Sequence, residues 1–182
     1  MTIPSAPWGR PVAQAGSAVI ATATGLLLLR VVVGLLTMAA HGSQKLFGWF
    51  GGEGFQGTAK SFAGLGYEPG TLFAVLGGSA EFFGGLLLAL GLLTPLGAAA
   101  VLGMMLNAIV AVHLKAGFFA ATGGFEYPLL IAAAAATLGF TGPGRFALDA
   151  GRPWGRPSLV TGVGVLGVAL AASVLALLVK AL

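Results

Sequence analysis

Two charged residues, Arg30 and Glu81, each lie in the middle of an apolar stretch that is long enough to cross a membrane and contains no other charge. A charge at that depth costs about 2.5–3.5 kcal/mol on insertion scales. We expect the two residues at similar depth on antiparallel neighbouring helices, where an ion pair would lower the cost of burying either one. Such a pair either locks two helices in register or forms the inner end of a polar pocket.

Further polar residues are predicted on the half of the membrane where His41 lies. At about 100° per residue, His41 shares a face of the first helix with Arg30, and Lys45 continues that face if the helix extends. Imidazole, carboxyl and phenol groups gathered in this way can hydrogen-bond a ligand and exchange its protons. The other predicted members of the set are Asn107, Glu126 and Tyr127.

Two residues of this half have alternative interpretations. Glu126 begins a short apolar stretch, and its carboxylate is either solvated or shares a proton with His41, His113 or a ligand. His113 either lies in the headgroup layer or joins the polar set. Because Asn107 and His113 differ by about 120° around their helix, we do not expect both to face one groove squarely.

Metal and nucleotide chemistry are not predicted. The chain has two histidines and no cysteine, and it contains no closely spaced histidine pair or glutamate-histidine pair. Disulfides and thiolate metal sites are therefore excluded within this chain. No phosphate loop, dinucleotide fingerprint or serine-histidine-acid set is evident. Electron chemistry would require a bound cofactor or a partner.

The composition is that of an integral membrane protein. Apolar residues make up 57% of the chain and charged residues 8%, and the mean hydropathy is +0.98. The net charge of +4 is scattered, mostly next to predicted helix ends, which indicates contact with lipid headgroups rather than with nucleic acid. The cluster of arginines in residues 145–156 favours a cytoplasmic location for its side of the membrane and for the amino terminus.

Five apolar runs predict five membrane-spanning helices, at about residues 18–40, 72–93, 96–114, 125–140 and 159–179. The fourth run is short. A cleaved signal peptide is the alternative for residues 1–40, but the apolar region is too long and contains Arg30. Glycines on the face of Glu81 predict close helix contact there; they are Gly77, Gly78, Gly84 and Gly85.

Residues at the ends of these runs predict where helices begin and stop. A side-chain oxygen that caps free backbone amides is expected at three helix starts, namely Thr71, Thr94 and Ser158. The sequence Gly142-Pro143-Gly144 is expected to stop the fourth helix. Residues 42–70 are predicted to contain a short helix that lies in the membrane interface, as an anchor or alternatively as a lid over a cavity. Its apolar positions are Phe55, Ala59, Phe62 and Leu65.

Five segments, taken together, resemble the DoxX family of bacterial membrane proteins, over about residues 26–150. They are Leu28-Leu29-Arg30, His41-Gly42-Ser43-Gln44-Lys45-Leu46-Phe47-Gly48, Ala80-Glu81-Phe82-Phe83-Gly84-Gly85, Gly123-Gly124-Phe125-Glu126-Tyr127-Pro128-Leu129-Leu130 and Thr141-Gly142-Pro143-Gly144-Arg145. The resemblance implies a four-helix membrane bundle with a role in respiratory or redox complexes. Related proteins are membrane subunits of thiosulfate:quinone oxidoreductase, and others associate with enzymes of oxidative stress.

The predicted organisation is an all-α membrane protein with an amino-terminal segment (residues 1–17), a DoxX-like transmembrane bundle (18–150), and a linker with an additional helix (151–182). This fifth helix departs from the family pattern. Small residues at Gly167 and Ala171 predict that it packs against this bundle or against a partner. The expected location is the bacterial cell membrane.

The favoured hypothesis is an integral membrane subunit of a redox complex that binds a quinone between its helices, with a protein partner. The predicted catalytic residues are Glu126 and His41, and the predicted quinone-binding residues are Arg30, His41, Lys45, Glu81, Asn107 and Tyr127. The alternative is a non-catalytic anchor or assembly subunit in which Arg30 and Glu81 only stabilise the fold. A transporter is less favoured because no inverted repeat is apparent.

Overall fold

The computed structural model describes the backbone of residues 12–180 and the side chains of residues 16–180, and this part of the chain is helical with no strand. The prediction of an all-α membrane protein is confirmed. The helices are α1 (Val12–Leu35), α2 (Ser43–Phe47), α3 (Gly54–Gly64), α4 (Gly70–Leu90), α5 (Thr94–Ala108), α6 (Glu126–Thr141) and α7 (Leu159–Lys180).

The first membrane span is longer than predicted. Helix α1 continues through a π-helical segment, Leu36–Gly42, directly into α2, so that an unbroken apolar helix runs over Gly16–Phe47. Its 32 residues correspond to about 48 Å, well beyond the hydrocarbon core. The π-helical segment carries the helix past residue 40, and this brings Lys45 onto the bundle.

Three other helices are long enough to span a membrane, and the apolar helix α6, predicted as a fifth span, is shorter. Gly70–Leu90, Thr94–Ala116 and Leu159–Lys180 are long and apolar enough to cross a membrane, and the second of these includes a π-helical segment, Ile109–His113, after α5. Helix α6 has 16 residues, or about 24 Å. Its shortness agrees with the prediction and leaves its first residues near the membrane boundary.

Helix α5 is the central element of the bundle, because α4, α6 and α7 all pack against it. Its buried residues Ala98, Val101 and Leu102 form one core with Leu138 of α6 and Val165 of α7. Helix α7 therefore belongs to the bundle.

Helix α7 packs through a face other than the predicted one. Gly162, Val165 and Ala169 face the bundle, whereas Gly167 and Ala171 are exposed on the opposite side. The predicted small-residue contact with this bundle is wrong. The apolar periodicity of a helix that is apolar all round does not distinguish its two faces.

One of three predicted caps is present. The Thr161 amide donates to Ser158 Oγ at 3.2 Å, so Ser158 caps the start of α7 as predicted. Helix α4 begins at Gly70 without a side-chain cap, and Thr94 donates to a distant carboxylate instead of capping its own helix. The predictions for Thr71 and Thr94 are wrong. The stop of α6 at Thr141, before Gly142, is confirmed.

The connection between the first two spans contains the predicted short helix. Thr58, Ala59 and Phe62 of α3 are buried where the helix packs on α4 and α2. The Thr58 hydroxyl donates to the Lys45 carbonyl at 3.1 Å, which ties α3 to the end of the first span. Helix α3 is thus a fixed wall of the bundle end.

The contact between α1 and α4 depends on glycine. A Cβ atom at Gly34 would lie 2.5 Å from the Gly85 carbonyl oxygen and 2.5 Å from the Ala89 amide nitrogen. Glycine at both positions lets the two backbones touch, as the glycine-rich face of α4 predicted. This contact fixes how far the two helices are shifted along each other.

We expect Gly34→Ala to destabilise the protein by about 1–3 kcal/mol, because the methyl group must push α1 away from α4. Gly25→Ala on the same helix is the matched control, since nothing lies within 4 Å of a Cβ atom there. Thermal unfolding of both variants in detergent measures the difference. Equal unfolding temperatures would contradict the close contact.

Candidate functional site

The predicted ion pair between Arg30 and Glu81 is wrong. The Arg30 guanidinium donates to two backbone carbonyl oxygens, those of Ala89 and Phe146. The contact of Gly34 with Ala89 places Arg30 level with the end of α4. Glu81 lies eight residues earlier on that helix, about 12 Å away along its axis. Arg30 instead neutralises the carbonyl end of a helix, where a cation is favoured.

The buried carboxylate of Glu81 pairs with Lys45. The Lys45 ammonium donates to Glu81 Oε2, and the two side chains are 27% and 2% exposed. Glu81 therefore has its counter-ion, but the cation comes from α2 rather than from the middle of α1. The extension of the first span makes this possible, because α2 is the part that reaches the level of Glu81.

His41 and Tyr127 contact each other beside this ion pair. Their Nε2 and Oη atoms lie 3.3 Å apart, and the ring centroids are 5.5 Å apart at an angle of 43°. The charges of Glu81 and Lys45 act on the His41 ring. The structure thus brings together two of the predicted ligand-binding residues, on α6 and on the π-helical segment of the first span.

Glu126 lies apart from the other predicted residues. Its exposed carboxylate accepts a hydrogen bond from the Ala120 amide at 2.9 Å. The same loop is closed by the Glu126 amide, which donates to the Phe118 carbonyl at 2.8 Å. The carboxylate therefore fastens the loop that precedes α6. Its role in proton exchange stays a prediction.

A cavity of about 470 Å³ lies between α2, α3 and the end of α5. Lys45 and Asn107, two of the predicted binding residues, are on its wall, and so are Tyr67 and His113. Asn107 and His113 are not expected to face one groove squarely. Both nevertheless line this cavity, because it is wide enough to reach both. No sequence pattern indicated Tyr67 as a site residue.

Asn107, which lines this cavity, has a hydrogen-bond donor that is not used within the described part of the protein. Its Oδ1 accepts a hydrogen bond from Tyr67 Oη at 2.8 Å, which fixes the orientation of the amide. Its Nδ2 is buried and has no hydrogen-bond partner among the described residues. Burial raises the pKa of Tyr67, and the hydrogen bond to Asn107 opposes that shift only in part. A buried amide donor without a partner carries a desolvation cost that a ligand oxygen would remove.

His113 supplies an acceptor on the same wall. Its Nδ1 lies 2.7 Å from the Gly123 carbonyl oxygen, which can only accept, so Nδ1 carries the proton. In the neutral ring, Nε2 then has a free lone pair. The cavity wall therefore combines a fixed donor, a lysine ammonium and an imidazole able to take up a proton.

An apolar groove of about 270 Å³ lies next to the cavity, between α4, α5 and α7. The two spaces share Phe62, Met104 and Asn107 as lining residues. Ala172 and Ala176 of α7 form the outer wall of the groove. A cavity with a few polar groups on its wall thus lies beside an apolar groove along the bundle. Among the residues that the structure describes, no group of three His, Asp or Glu side chains is placed to hold a metal ion.

Asp149 is a structural residue that the sequence analysis missed. It is 1% exposed and accepts hydrogen bonds from the Thr94 amide at 2.8 Å, the Thr94 hydroxyl at 2.9 Å and the Trp154 indole at 2.9 Å. Burial alone would raise the pKa of this carboxyl, but the hydrogen bonds outweigh it and hold the pKa below its ordinary value. Asp149 thereby caps α5 from another part of the chain.

Loss of the Lys45 ammonium should leave Glu81 as a buried, unpaired charge. We expect Lys45→Met to lower the free energy of unfolding by about 3 kcal/mol, and the double variant Lys45→Met/Glu81→Gln to recover most of that loss. Thermal unfolding of the single and double variants measures the coupling. Additive losses in the double variant would show that the two groups do not interact.

Asp149→Asn should destabilise the protein by about 1–3 kcal/mol at neutral pH, because the amide cannot replace the charged acceptor. A lowered pKa in the folded state stabilises above the unfolded pKa of about 3.9 and loses that effect as the pH falls through the folded value. The unfolding temperatures of parent and variant should therefore converge below about pH 4. A constant difference across pH would contradict the ionised carboxylate.

Comparison with known proteins agrees with this architecture. Residues 25–114 match the family model described as DoxX. The chain is also similar to a Bacillus subtilis (strain 168) protein named "Putative oxidoreductase CatD", with 31% identity over 125 residues that cover 69% of this chain and 84% of that protein. No solved structure matches. The family match and the shared length of the relative confirm the resemblance, and the chain belongs to the DoxX family of membrane proteins.

Proposed function

We propose that this protein is a membrane subunit of a redox complex and that it binds a quinone headgroup in the 470 Å³ cavity. The observation that carries the proposal is the buried Asn107 Nδ2, a donor without a partner among the described residues, in a residue that lines both the cavity and the adjacent apolar groove. Family membership and the name of the Bacillus relative support the assignment to redox proteins.

The polar wall suits a ligand with carbonyl oxygens. Asn107 Nδ2 would donate to one carbonyl, and the Lys45 ammonium is a second donor on the same wall. The ion pair with Glu81 holds that ammonium in place, so that it is not an isolated charge. A few fixed polar groups within an otherwise apolar pocket are the usual arrangement for orienting a small ligand.

Proton exchange would take place at the membrane boundary. A bound quinone supplies two-electron chemistry that is coupled to two protons. His113 Nε2 can accept a proton from a hydroxyl in the cavity, because the Gly123 carbonyl keeps the other ring nitrogen protonated. We retain His41 and Glu126 as proposed proton carriers toward the surface, outside the wall of the cavity, with Tyr127 as the hydrogen-bond partner of His41.

The apolar groove suits the isoprenoid tail of a membrane quinone. Asn107 and Met104 line both this groove and the cavity, and the groove runs between α5 and α7. Helix α7 thus contributes a wall to the proposed site, which gives the additional helix a function beyond anchoring. Since the chain has no cysteine, a partner protein or another bound group must exchange electrons with the quinone.

Quinone binding to the purified protein tests the proposal. Asn107→Leu and Tyr67→Phe both break the hydrogen bond between the two residues, but only Asn107→Leu removes the amide donor. We expect Asn107→Leu to weaken the binding of ubiquinone-1 or menadione by about tenfold, in line with one lost hydrogen bond to a buried group, and Tyr67→Phe to weaken it much less. Fluorescence quenching or calorimetry in detergent gives the dissociation constants.

The contrary result would favour the alternative function. If neither quinone binds the parent protein saturably, or if both variants bind as the parent does, the cavity is not a quinone site. The protein would then be a non-catalytic anchor or assembly subunit, and a copurifying partner would be expected. Size-exclusion elution of each variant shows whether the fold is retained.

A further inference from the structure

A second cavity lies at the opposite end of the bundle, between the beginning of α1 and the loop of residues 142–158. Its volume is about 690 Å³. One wall is the apolar surface of α1, from Ala18 to Leu26, and the other wall carries Arg145 and Arg156. The groove lies beside residues 18–26 of α1 and at the end of α6, Thr141, so we expect it where the hydrocarbon meets the headgroups. We call it the arginine groove.

The two arginines of this groove have no counter-ion among the residues that the structure describes. Neither guanidinium has a hydrogen bond or an ion pair with any residue that the structure describes. Asp149 is the acid of the same loop, but it is buried and its oxygens are occupied by Thr94 and Trp154. The positive potential at the groove is therefore not neutralised from within, and an anion would be attracted there.

The loop that carries the arginines is fixed in place. The Arg30 guanidinium donates to the Phe146 carbonyl, and the Asp149 amide donates to the Gly91 carbonyl at 2.8 Å. Backbone and buried side chains thus hold the loop on the turn between α4 and α5. An anion at the groove would meet a surface that is already ordered, so binding would not have to pay for ordering it.

We propose that the arginine groove binds an anionic phospholipid of the surrounding bilayer. Arg145 and Arg156 hold its phosphate, since guanidinium groups match phosphate oxygens in two-point hydrogen bonds. One acyl chain lies along α1 from Val19 to Leu26. The sequence predicts this end to face the cytoplasm, whose leaflet carries anionic lipid in its membrane surface. The proposal is independent of the quinone site, which lies at the other end of the bundle.

Lipid titration of the full chain tests the proposal. The protein in neutral detergent micelles is titrated with dioleoylphosphatidylglycerol, with dioleoylphosphatidylcholine and with glycerol phosphate, and native mass spectrometry counts the bound molecules. We expect saturable binding of phosphatidylglycerol to one site, weaker binding of phosphatidylcholine, and no binding of glycerol phosphate, which lacks acyl chains.

Single substitutions distinguish lipid binding at the arginine groove from attraction by the net charge of the protein. Arg145→Gln and Arg156→Gln should each weaken phosphatidylglycerol binding about fivefold, the effect of one cation near a membrane surface. Arg152→Gln is the matched control, because Arg152 is on the same loop but lies over the Trp154 ring, 5.7 Å from its centroid, and outside the groove lining. It removes the same charge and should leave the affinity within about twofold.

Three results would overturn the proposal. Equal affinities for the two lipids would show that the phosphate contact is not selective for anionic lipid. An equal loss in Arg152→Gln would show attraction by net charge alone, and tight binding of glycerol phosphate would identify a soluble phosphate site instead. If a glutamine variant fails to fold, Arg145→Lys and Arg156→Lys retain the charge and should still weaken binding measurably, because the two-point contact is lost; unchanged affinity would contradict that contact.

Discussion

The backbone contact between Gly34 and Gly85 is the constraint on which the rest of this structure depends. It sets the shift of α1 along α4, and Arg30, Lys45 and Glu81 take their partners from that shift. With the two helices so placed, Arg30 reaches the carbonyl end of α4 and Lys45 reaches Glu81. A different shift would leave buried charges without these partners, which is strongly destabilising.

The two ends of the bundle consequently have different chemistry. At one end, titratable groups from α2, from the loop before α4 and from the π-helical segment after α5 line a cavity. At the other end, arginines lie on a loop that Arg30 and Asp149 hold against the turn between α4 and α5. The central helix α5 contributes to both, with Thr94 at its beginning and Asn107 near its end.

The helices could be predicted from the sequence, whereas the pairing of their polar residues could not. Apolar runs of membrane length indicate each span directly, and the glycines on one face of α4 indicate a closely packed neighbouring helix. The partner of Arg30 depends on how far α1 is shifted along α4. The apolar periodicity of the sequence gives no information about that shift. Asp149 was missed for a related reason: it acts on Thr94, and no local pattern connects a loop carboxylate with a helix start 55 residues earlier. Lys45 was placed on the correct face, but its partner required the longer first helix.

The π-helical segment Leu36–Gly42 has a consequence for how this fold varies among relatives. A π turn holds about one more residue than an α turn. The segment therefore corresponds to a single-residue insertion within a helix that stays continuous. A relative that lacks this residue would continue as a regular α-helix, and everything beyond it, including the counterpart of Lys45, would rotate by about 100°. Such a protein would keep the same spans but would need a different counter-ion for the buried glutamate.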